Sequence, residues 1–135
     1  MVEKNVDLDV DGTADWRYVY YNNEAGDPVL KETDEGADGV VEWTTTYVYY
    51  DDGALGAMIF DENNDGIVDR VTNLTYAIDE ASRTIATELD KDNDGVADIV
   101  IVGRYDSAGN VLLENEDSDG DGVIDQRTTY GYACW

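Results

Sequence analysis

Five acidic segments recur along the chain with one internal pattern. Each has an acid at its first, fifth and ninth positions and glycine at its sixth. The segments begin at Asp7, Asp34, Asp61, Asp90 and Asp117, so their starts lie 27, 27, 29 and 27 positions apart. A fixed period of this length is typical of repeat architectures. We therefore predict five repeats within a single domain that spans residues 1–135.

The spacing inside each segment suits a hard divalent cation. Calcium binds six to eight oxygens at ~2.3–2.6 Å, taken from carboxylates, carbonyl groups and water. Side chains at positions one, three and five can turn their oxygens inward, and glycine at position six permits the sharp turn that brings in the carbonyl of position seven. The acid at position nine can then close the coordination sphere. These features predict Ca2+ as the ion that the loops bind.

The predicted ligands occupy positions one, three, five, seven and nine, with position seven contributing its backbone carbonyl. They are Asp7, Asp9, Asp11, Thr13 and Asp15 in the first loop; Asp34, Asp38, Val40 and Glu42 in the second; Asp61, Asn63, Asp65, Ile67 and Asp69 in the third; Asp90, Asp92, Asp94, Val96 and Asp98 in the fourth; and Asp117, Asp119, Asp121, Val123 and Asp125 in the fifth. The second loop has Gly36 at position three, which offers no side-chain oxygen. We expect four full sites and a weaker fifth in that loop.

A simpler interpretation is that these segments are soluble turns, because Asp, Asn and Gly dominate turns in general. Turn chemistry, however, does not require acids at alternate positions and again at the ninth. The charge supports metal binding: predicted ligand positions hold 18 of the 32 acidic residues, and the other 14 against 8 basic residues leave only −6 of the net −24. Most of the negative charge is therefore predicted ligand charge.

The segments between the loops have the pattern of β-hairpins. Runs rich in tyrosine, tryptophan and β-branched residues alternate with turns rich in Asp, Asn and Gly. The longer runs are 16–21, 43–50, 70–78, 99–105 and 126–132; the shorter are 29–33, 55–60 and 111–114, with a further short strand at 2–6; the turns are 22–27, 51–53, 79–82 and 106–110. We predict an all-β antiparallel meander of nine to ten strands, closed as a rolled sheet, a barrel or a sandwich.

Several segments resemble known repeats. Residues 90–103, DKDNDGVADIVIVG, resemble the calcium loop and strand of FG-GAP and VCBS repeats, in which the loop joins two antiparallel strands. The acidic spacing is also similar to thrombospondin type 3 repeats, and residues 50–53 and 105–110 resemble the hairpin tips of bacterial YD repeats. Together they resemble bacterial extracellular tandem-repeat proteins. Because a propeller blade needs about twice this repeat length, the resemblance implies calcium loops on hairpins without the propeller fold.

Charge and composition exclude several classes of function. A chain of net charge −24 is repelled by nucleic acid and by anionic membrane surfaces. No apolar run approaches the ~20 residues that a membrane span needs. Histidine is absent, the sole cysteine is Cys134, and the carboxylates recur in loops instead of gathering in one cleft. We therefore expect no nucleic-acid partner, no membrane insertion and no enzymatic activity.

The expected function is that of a calcium-stabilised structural or surface repeat protein. Extracellular calcium suits short acidic loops of moderate affinity, so we expect an extracellular or cell-surface location. An open meander would leave its first and last strands unpaired, which favours self-assembly with copies of itself into a filament or adhesive array. The alternative is a calcium-dependent module that binds a surface glycan or protein through rows of Tyr and Trp. The same aromatic residues are, however, expected to form the core.

Overall fold

A computed structural model describes residues 1–78 and 83–132, and over these residues the chain forms ten β-strands and no helix. The strands are β1 (Val2–Val6), β2 (Trp16–Asn22), β3 (Pro28–Glu35), β4 (Trp43–Tyr49), β5 (Leu55–Asp61), β6 (Arg70–Ile78), β7 (Arg83–Asp90), β8 (Ile99–Tyr105), β9 (Val111–Asp117) and β10 (Gln126–Thr129). The all-β prediction is confirmed, and the short strand expected at 2–6 is β1. The described residues accordingly contain no helix with the length and apolar character needed to cross a bilayer.

The strands follow one another in a meander. Their order in the sheet is the order of the sequence, from β1 to β10. The pairs β1–β2, β2–β3, β3–β4, β4–β5, β7–β8, β8–β9 and β9–β10 are antiparallel. No pairing joins β1 to β10 within the described residues, so the sheet is not closed into a barrel. The meander prediction is thus confirmed and its barrel variant is excluded.

The chain divides into two compact units, residues 1–71 and 72–135. The first unit holds the acidic loops that start at Asp7, Asp34 and Asp61, and the second holds those that start at Asp90 and Asp117. We refer to these loops below as loops 1 to 5. The prediction of a single domain stays a prediction, and Cys134 lies outside the described residues.

Three hairpin turns share one geometry. They span residues 23–27, 50–54 and 106–110. In each, the first residue donates its N–H to the fifth residue's carbonyl at 2.8–2.9 Å, and a glycine at the fourth position donates back to the first residue's carbonyl at 2.9–3.1 Å. The glycines adopt the left-handed backbone that such turns require, with φ between 85° and 97°. The predicted turn at 79–82 lies outside the described residues.

Neighbouring acidic loops contact one another because alternate connections of a meander lie at the same end of the strands. In the first unit, the Gly36 N–H donates to the Asp15 carbonyl at 2.6 Å, and Asn64 Nδ2 donates to the Val41 carbonyl at 3.0 Å. In the second unit, the backbone of Gly120 lies so close to Ala97 that a Cβ at Gly120 would overlap the Ala97 carbonyl oxygen. The loops within each unit therefore support one another.

No hydrophobic side chain is buried among the described residues. The buried side chains are instead polar: Thr33, Asp34, Thr45, Thr72, Asp90 and Asp117. Several aromatic side chains are half-buried and pack along the sheet, as Trp16 does with Trp43 (ring centroids 5.5 Å apart) and with Tyr18 (6.3 Å). The expectation that the aromatic residues form an enclosed core is therefore wrong. They contact cross-strand and same-strand neighbours, which is the usual packing unit of a sheet face.

The contact between loops 4 and 5 can be tested with Gly120→Ala. We expect this variant to lose about 1–3 kcal/mol of unfolding free energy, because the new methyl group meets the Ala97 carbonyl and the backbone at Gly120 is left-handed (φ 69°). Gly109→Ala is the matched control, since Gly109 has φ 87° and open space around its Cβ position. It should lose only the conformational cost, about 1 kcal/mol. Equal losses in urea denaturation would contradict the loop contact.

Candidate metal centres

All five acidic loops are closed by the same backbone hydrogen bond. The N–H of position nine donates to the carbonyl of the residue just before position one at 2.8–3.0 Å. The donors are Asp15, Glu42, Asp69, Asp98 and Asp125, and the acceptors are Val6, Thr33, Phe60, Leu89 and Glu116. This bond therefore fixes, in each loop, where the preceding strand ends relative to where the next strand begins. The repeat in sequence is thus a repeat in structure.

The carboxylates of each loop accept hydrogen bonds from the loop's own backbone, and loop 4 illustrates the arrangement. Asp90 Oδ2 accepts the N–H of Gly95 at 2.9 Å, while Asp94 Oδ1 accepts the N–H of Val96 at 2.8 Å. Asp98 Oδ2 accepts the N–H of Lys91 at 2.7 Å, which brings the ninth position back against the second. The other four loops repeat these three bonds. Acids at positions one, five and nine are thereby held within each loop.

Three loops bring three carboxylates together. The groups are Asp7, Asp9 and Asp15 in loop 1; Asp90, Asp92 and Asp94 in loop 4; and Asp117, Asp119 and Asp125 in loop 5, with ligand oxygens all within 4.8 Å of one another. Two oxygens bound to one calcium ion at ~2.3–2.6 Å lie at most about 5 Å apart. The observed spacing therefore fits a single hard cation, and each of these loops can hold a metal ion.

The remaining predicted ligands lie outside the three close carboxylate groups. Asp11, Asp98 and Asp121 belong to loops 1, 4 and 5 without being members of the three close groups. Within the described residues, loops 2 and 3 provide no such group; their predicted ligands are Asp34, Asp38 and Glu42, and Asp61, Asn63, Asp65 and Asp69. In every loop the residue at position seven donates its N–H to the carboxylate at position five. These donors are Thr13, Val40, Ile67, Val96 and Val123. Their carbonyl ligation stays a prediction.

Loops 1 and 5 keep their first carboxylates, Asp7 and Asp117, ionised. The backbone N–H of Gly12 is the largest of the interactions that hold the pKa of Asp7 below its ordinary value of 3.8. At Asp117, partial desolvation acts to raise the pKa, but N–H donors led by Gly122 together outweigh it, so this pKa is lowered as well. Hydrogen bonds to the charged form favour that form. A cation that approaches loop 1 or loop 5 near neutral pH therefore meets a first carboxylate that has already lost its proton.

Loop 2 differs from the others because an arginine already neutralises its first acid. Arg17 Nη2 lies 2.9 Å from Asp34 Oδ2, and the Asp34 side chain is only 2% exposed. The two residues are direct cross-strand partners in β2 and β3. In the later repeats the position of Arg17 is held by Thr44, Val71, Val100 and Arg127. Sequence reasoning identified Gly36 as the weakness of loop 2 but missed Arg17, which could have been found by counting the register of a 27-residue hairpin repeat.

Position four was also missed by sequence reasoning. Val10, Ala37, Asn64, Asn93 and Gly120 all have a left-handed backbone there, with φ between 50° and 69°. Asparagine and glycine tolerate this conformation, whereas a β-branched residue is strained in it. Asn64, Asn93 and Gly120 therefore indicated a left-handed backbone at position four. Val10 and Ala37, which do not favour that conformation, hid the pattern in loops 1 and 2. This turn lets the N–H of position four or five reach the first carboxylate.

No protein-family model, curated protein or solved structure matches this chain. The fold and the loops by themselves define its class: an all-β meander with several Asp clusters that can bind metal. More specific statements about its role are proposals.

The ion pair between Arg17 of β2 and Asp34 of loop 2 can be tested with Arg17→Thr, which copies the residue at the same position of the next repeat, Thr44. Removal of one partner of a largely buried ion pair leaves the Asp34 carboxylate uncompensated. Because Arg17 is about one-third exposed, we expect a loss of about 1–3 kcal/mol in unfolding free energy when EDTA is present. Calcium should recover part of this loss, because the variant frees Asp34 to bind it.

Arg127→Thr is the matched control. Arg127 holds the same repeat position, but its Nε donates to the neutral side chain of Asn115 at 2.7 Å. We expect a loss of at most about 1 kcal/mol, without recovery by calcium beyond that of the parent chain. Melting curves with EDTA and with calcium measure both effects. The same behaviour in the two variants would contradict the assignment of Arg17 as the cation of loop 2.

Proposed function

We propose that the chain is a calcium-stabilised structural repeat protein of the extracellular or cell-surface kind. The observation that carries this proposal is the grouping of three carboxylates within 4.8 Å in each of loops 1, 4 and 5. Calcium is favoured over magnesium because it accepts six to eight oxygens in flexible geometry, whereas magnesium demands a near-ideal octahedron. Short loops with a carbonyl and several carboxylates are better matched to the larger ion.

The described residues bury no hydrophobic side chain, and this supports a structural role for calcium. Without an enclosed apolar core, a sheet has less hydrophobic stabilisation to offset its conformational entropy. An ion that binds only the folded loops adds about 2.7 kcal/mol per site when its concentration is 100 times its Kd. Several such sites would supply a stabilisation comparable to the whole stability of an ordinary domain.

The location and the lack of catalytic activity belong to the same proposal. Short acidic loops of moderate affinity fill at extracellular calcium concentrations. The carboxylates are spread over repeated loops, and the sequence offers no histidine to act as a general base. The proposed resemblance to bacterial extracellular tandem repeats agrees with this arrangement, in which acidic loops join the strands at one end and YD-like turns join them at the other.

Calcium removal tests the proposal directly. We expect a much lower melting temperature, or loss of the β-sheet circular dichroism signal, in excess EDTA than in calcium, because folding is linked to ion binding. Asp92→Asn should reduce the rise that calcium produces, since it removes a carboxylate from the loop 4 group. Asp52→Asn makes the same charge change in a hairpin turn and should leave that rise unchanged.

Three outcomes decide this test. A rise with calcium that depends on Asp92 and not on Asp52 supports site binding. Equal melting in EDTA and calcium would mean that the loops are ordinary turns, and the proposal would fail. The same effect from both variants would indicate general charge screening instead of bound ions.

A groove in the first unit favours a second function, that of a carbohydrate-binding module. Its volume is about 400 Å³, and it is lined by Lys31, Trp43, Thr44, Thr45, Phe60, Glu62 and Arg70. Thr45 is a cross-strand partner of both Lys31 and Phe60, so a small side chain separates larger ones. The Arg70 guanidinium lies 3.7 Å from the centre of the Phe60 ring. Arg70 Nε lies 3.1 Å from Glu62 Oε1 and is neutralised by it. The aromatic walls and the Lys31 ammonium are therefore the groups that suit a sugar ring carrying a carboxylate.

Trp43→Ala tests this second function. We expect binding to acidic oligosaccharides on a glycan array to fall at least about tenfold, because the ring offers the largest apolar surface of the groove. Tyr132→Ala is the control, since Tyr132 is an exposed aromatic residue outside the groove. The carbohydrate function is excluded if the parent chain binds no sugar in calcium. Equal losses in both variants would show that any binding lies elsewhere.

A further inference from the structure

The two edge strands of the meander have free outer sides. Strand β1 pairs only with β2, and β10 only with β9, among the residues that the structure describes. Four of the five β1 residues and three of the four β10 residues are exposed. A free strand edge carries unpaired N–H and C=O groups, which form a template for another strand.

The pairing of β2 with β3 indicates what kind of strand would pair with the outer side of β10. Arg17 in β2 lies opposite Asn5 on the preceding strand and opposite Asp34 on the following strand. Arg127 in β10 holds the same repeat position and lies opposite Asn115 on its preceding strand. What the outer side of Arg127 lacks is the acid that Arg17 finds in Asp34.

Strand β1 is followed directly by the equivalent acid, Asp7. Asp7 occupies in loop 1 the position that Asp34 occupies in loop 2, and its Oδ2 accepts the N–H of Gly12 as that of Asp34 accepts Gly39. Asp7 is only half-buried, however, whereas Asp34 is covered. Thus β10 carries an arginine that lacks its acid, and β1 carries the acid that lacks its arginine.

We propose that β10 of one copy pairs antiparallel with β1 of a second copy, with Arg127 opposite Asp7 of the second copy. The pairing copies the Arg17–Asp34 register. Tyr130 then lies opposite Lys4 of the second copy, just as Tyr20 lies opposite Lys31 within the chain. The partner is therefore this chain itself, recognised by a cross-strand ion pair and by the register already used inside it.

The backbone groups of both edges face the right way for this register. Tyr130 donates its N–H to Leu112 at 3.1 Å, so in an alternating strand the backbone groups of Thr129 face away from β9. The Val6 carbonyl accepts the N–H of Asp15 at 2.8 Å and so faces β2, which leaves Asn5 and Glu3 facing outward. Thr129 and Asn5 of the second copy then meet as a hydrogen-bonded pair.

This pairing is heterologous, because the two surfaces differ, so each copy that joins leaves one free edge of each kind. It depends on the proposed function in one respect. Loop 5 of one copy would lie beside loop 1 of the next, and chains of net charge −24 repel one another within the ~8 Å over which physiological salt leaves charges unscreened. Calcium in the loops removes much of this repulsion, so assembly should be stronger in calcium.

Two proline variants block the edges one at a time. Thr129→Pro removes an outward N–H from β10, and Glu3→Pro removes one from β1, while the inward hydrogen bonds remain. Thr129→Ala and Glu3→Ala are the matched controls, since they keep the N–H. In sedimentation with calcium over a range of protein concentrations, we expect the parent chain and both alanine variants to form oligomers of increasing size. Each proline variant should associate at least about tenfold more weakly.

A mixture of the two proline variants gives the sharpest result. Thr129→Pro retains a good β1 edge and Glu3→Pro retains a good β10 edge, so their mixture should form heterodimers and stop there. The proposal is overturned if the parent chain stays monomeric in calcium, if neither proline weakens association, or if the mixture stays monomeric or grows beyond dimers. The melting experiment in EDTA is separate from sedimentation, so the two proposals can fail independently. If calcium stabilises a parent chain that stays monomeric, only the assembly proposal is contradicted. If proline-sensitive assembly occurs and EDTA has no effect on melting, only the calcium proposal is contradicted.

Discussion

The hydrogen bonds between loop carboxylates and the backbone N–H groups of the same loop are the interactions on which each repeat depends. The acid at position one fixes the glycine turn, and the acid at position nine returns the chain to the start of the loop. The next strand consequently leaves at a fixed place beside the previous one. These bonds also hold several negative charges close together, so the shape of the loop and its capacity to hold a cation have the same origin. In loop 2 the first carboxylate, Asp34, is paired with Arg17, a cation that the protein itself supplies.

The sheet relies on small and polar residues where many folds place large apolar ones. Thr33 and Thr45 are the most enclosed positions on the aromatic side, and the large rings lie around them half-covered. At Gly103 the ring of Tyr105 lies where a side chain would otherwise stand, and Tyr50 covers Gly56 in the same way. Apolar area is thus shared among neighbours along the sheet and is not enclosed. Backbone ladders and loop bonds consequently carry a larger part of the stability than they do in a domain with a closed core.

Much of the fold could be predicted from the sequence because its signals are local. The period of the acids, the alternation in runs such as Trp43–Tyr49, and the Asx-Gly turns each specify their own segment. The features that escaped prediction depend on pairing across strands. The contact of Arg17 with Asp34 needs the register of β2 and β3, and the left-handed backbone of Val10 is visible only by analogy with Asn64 and Asn93. Alternation shows that a strand has an apolar side, but it does not show whether anything covers that side.

The contacts between successive loops give each unit a linear character. Gly36 of loop 2 contacts Asp15 at the end of loop 1, and Asn64 of loop 3 contacts Val41 of loop 2. In the second unit, Gly120 of loop 5 lies against Ala97 of loop 4. Such an array behaves as a one-dimensional chain in which each repeat senses its nearest neighbours and little else. Damage to one loop should then fray the adjacent repeats first and fade with distance along the row. The same arrangement lets an ancestral sequence gain or lose whole repeats with little redesign of the others, since each of these junctions involves only two successive loops.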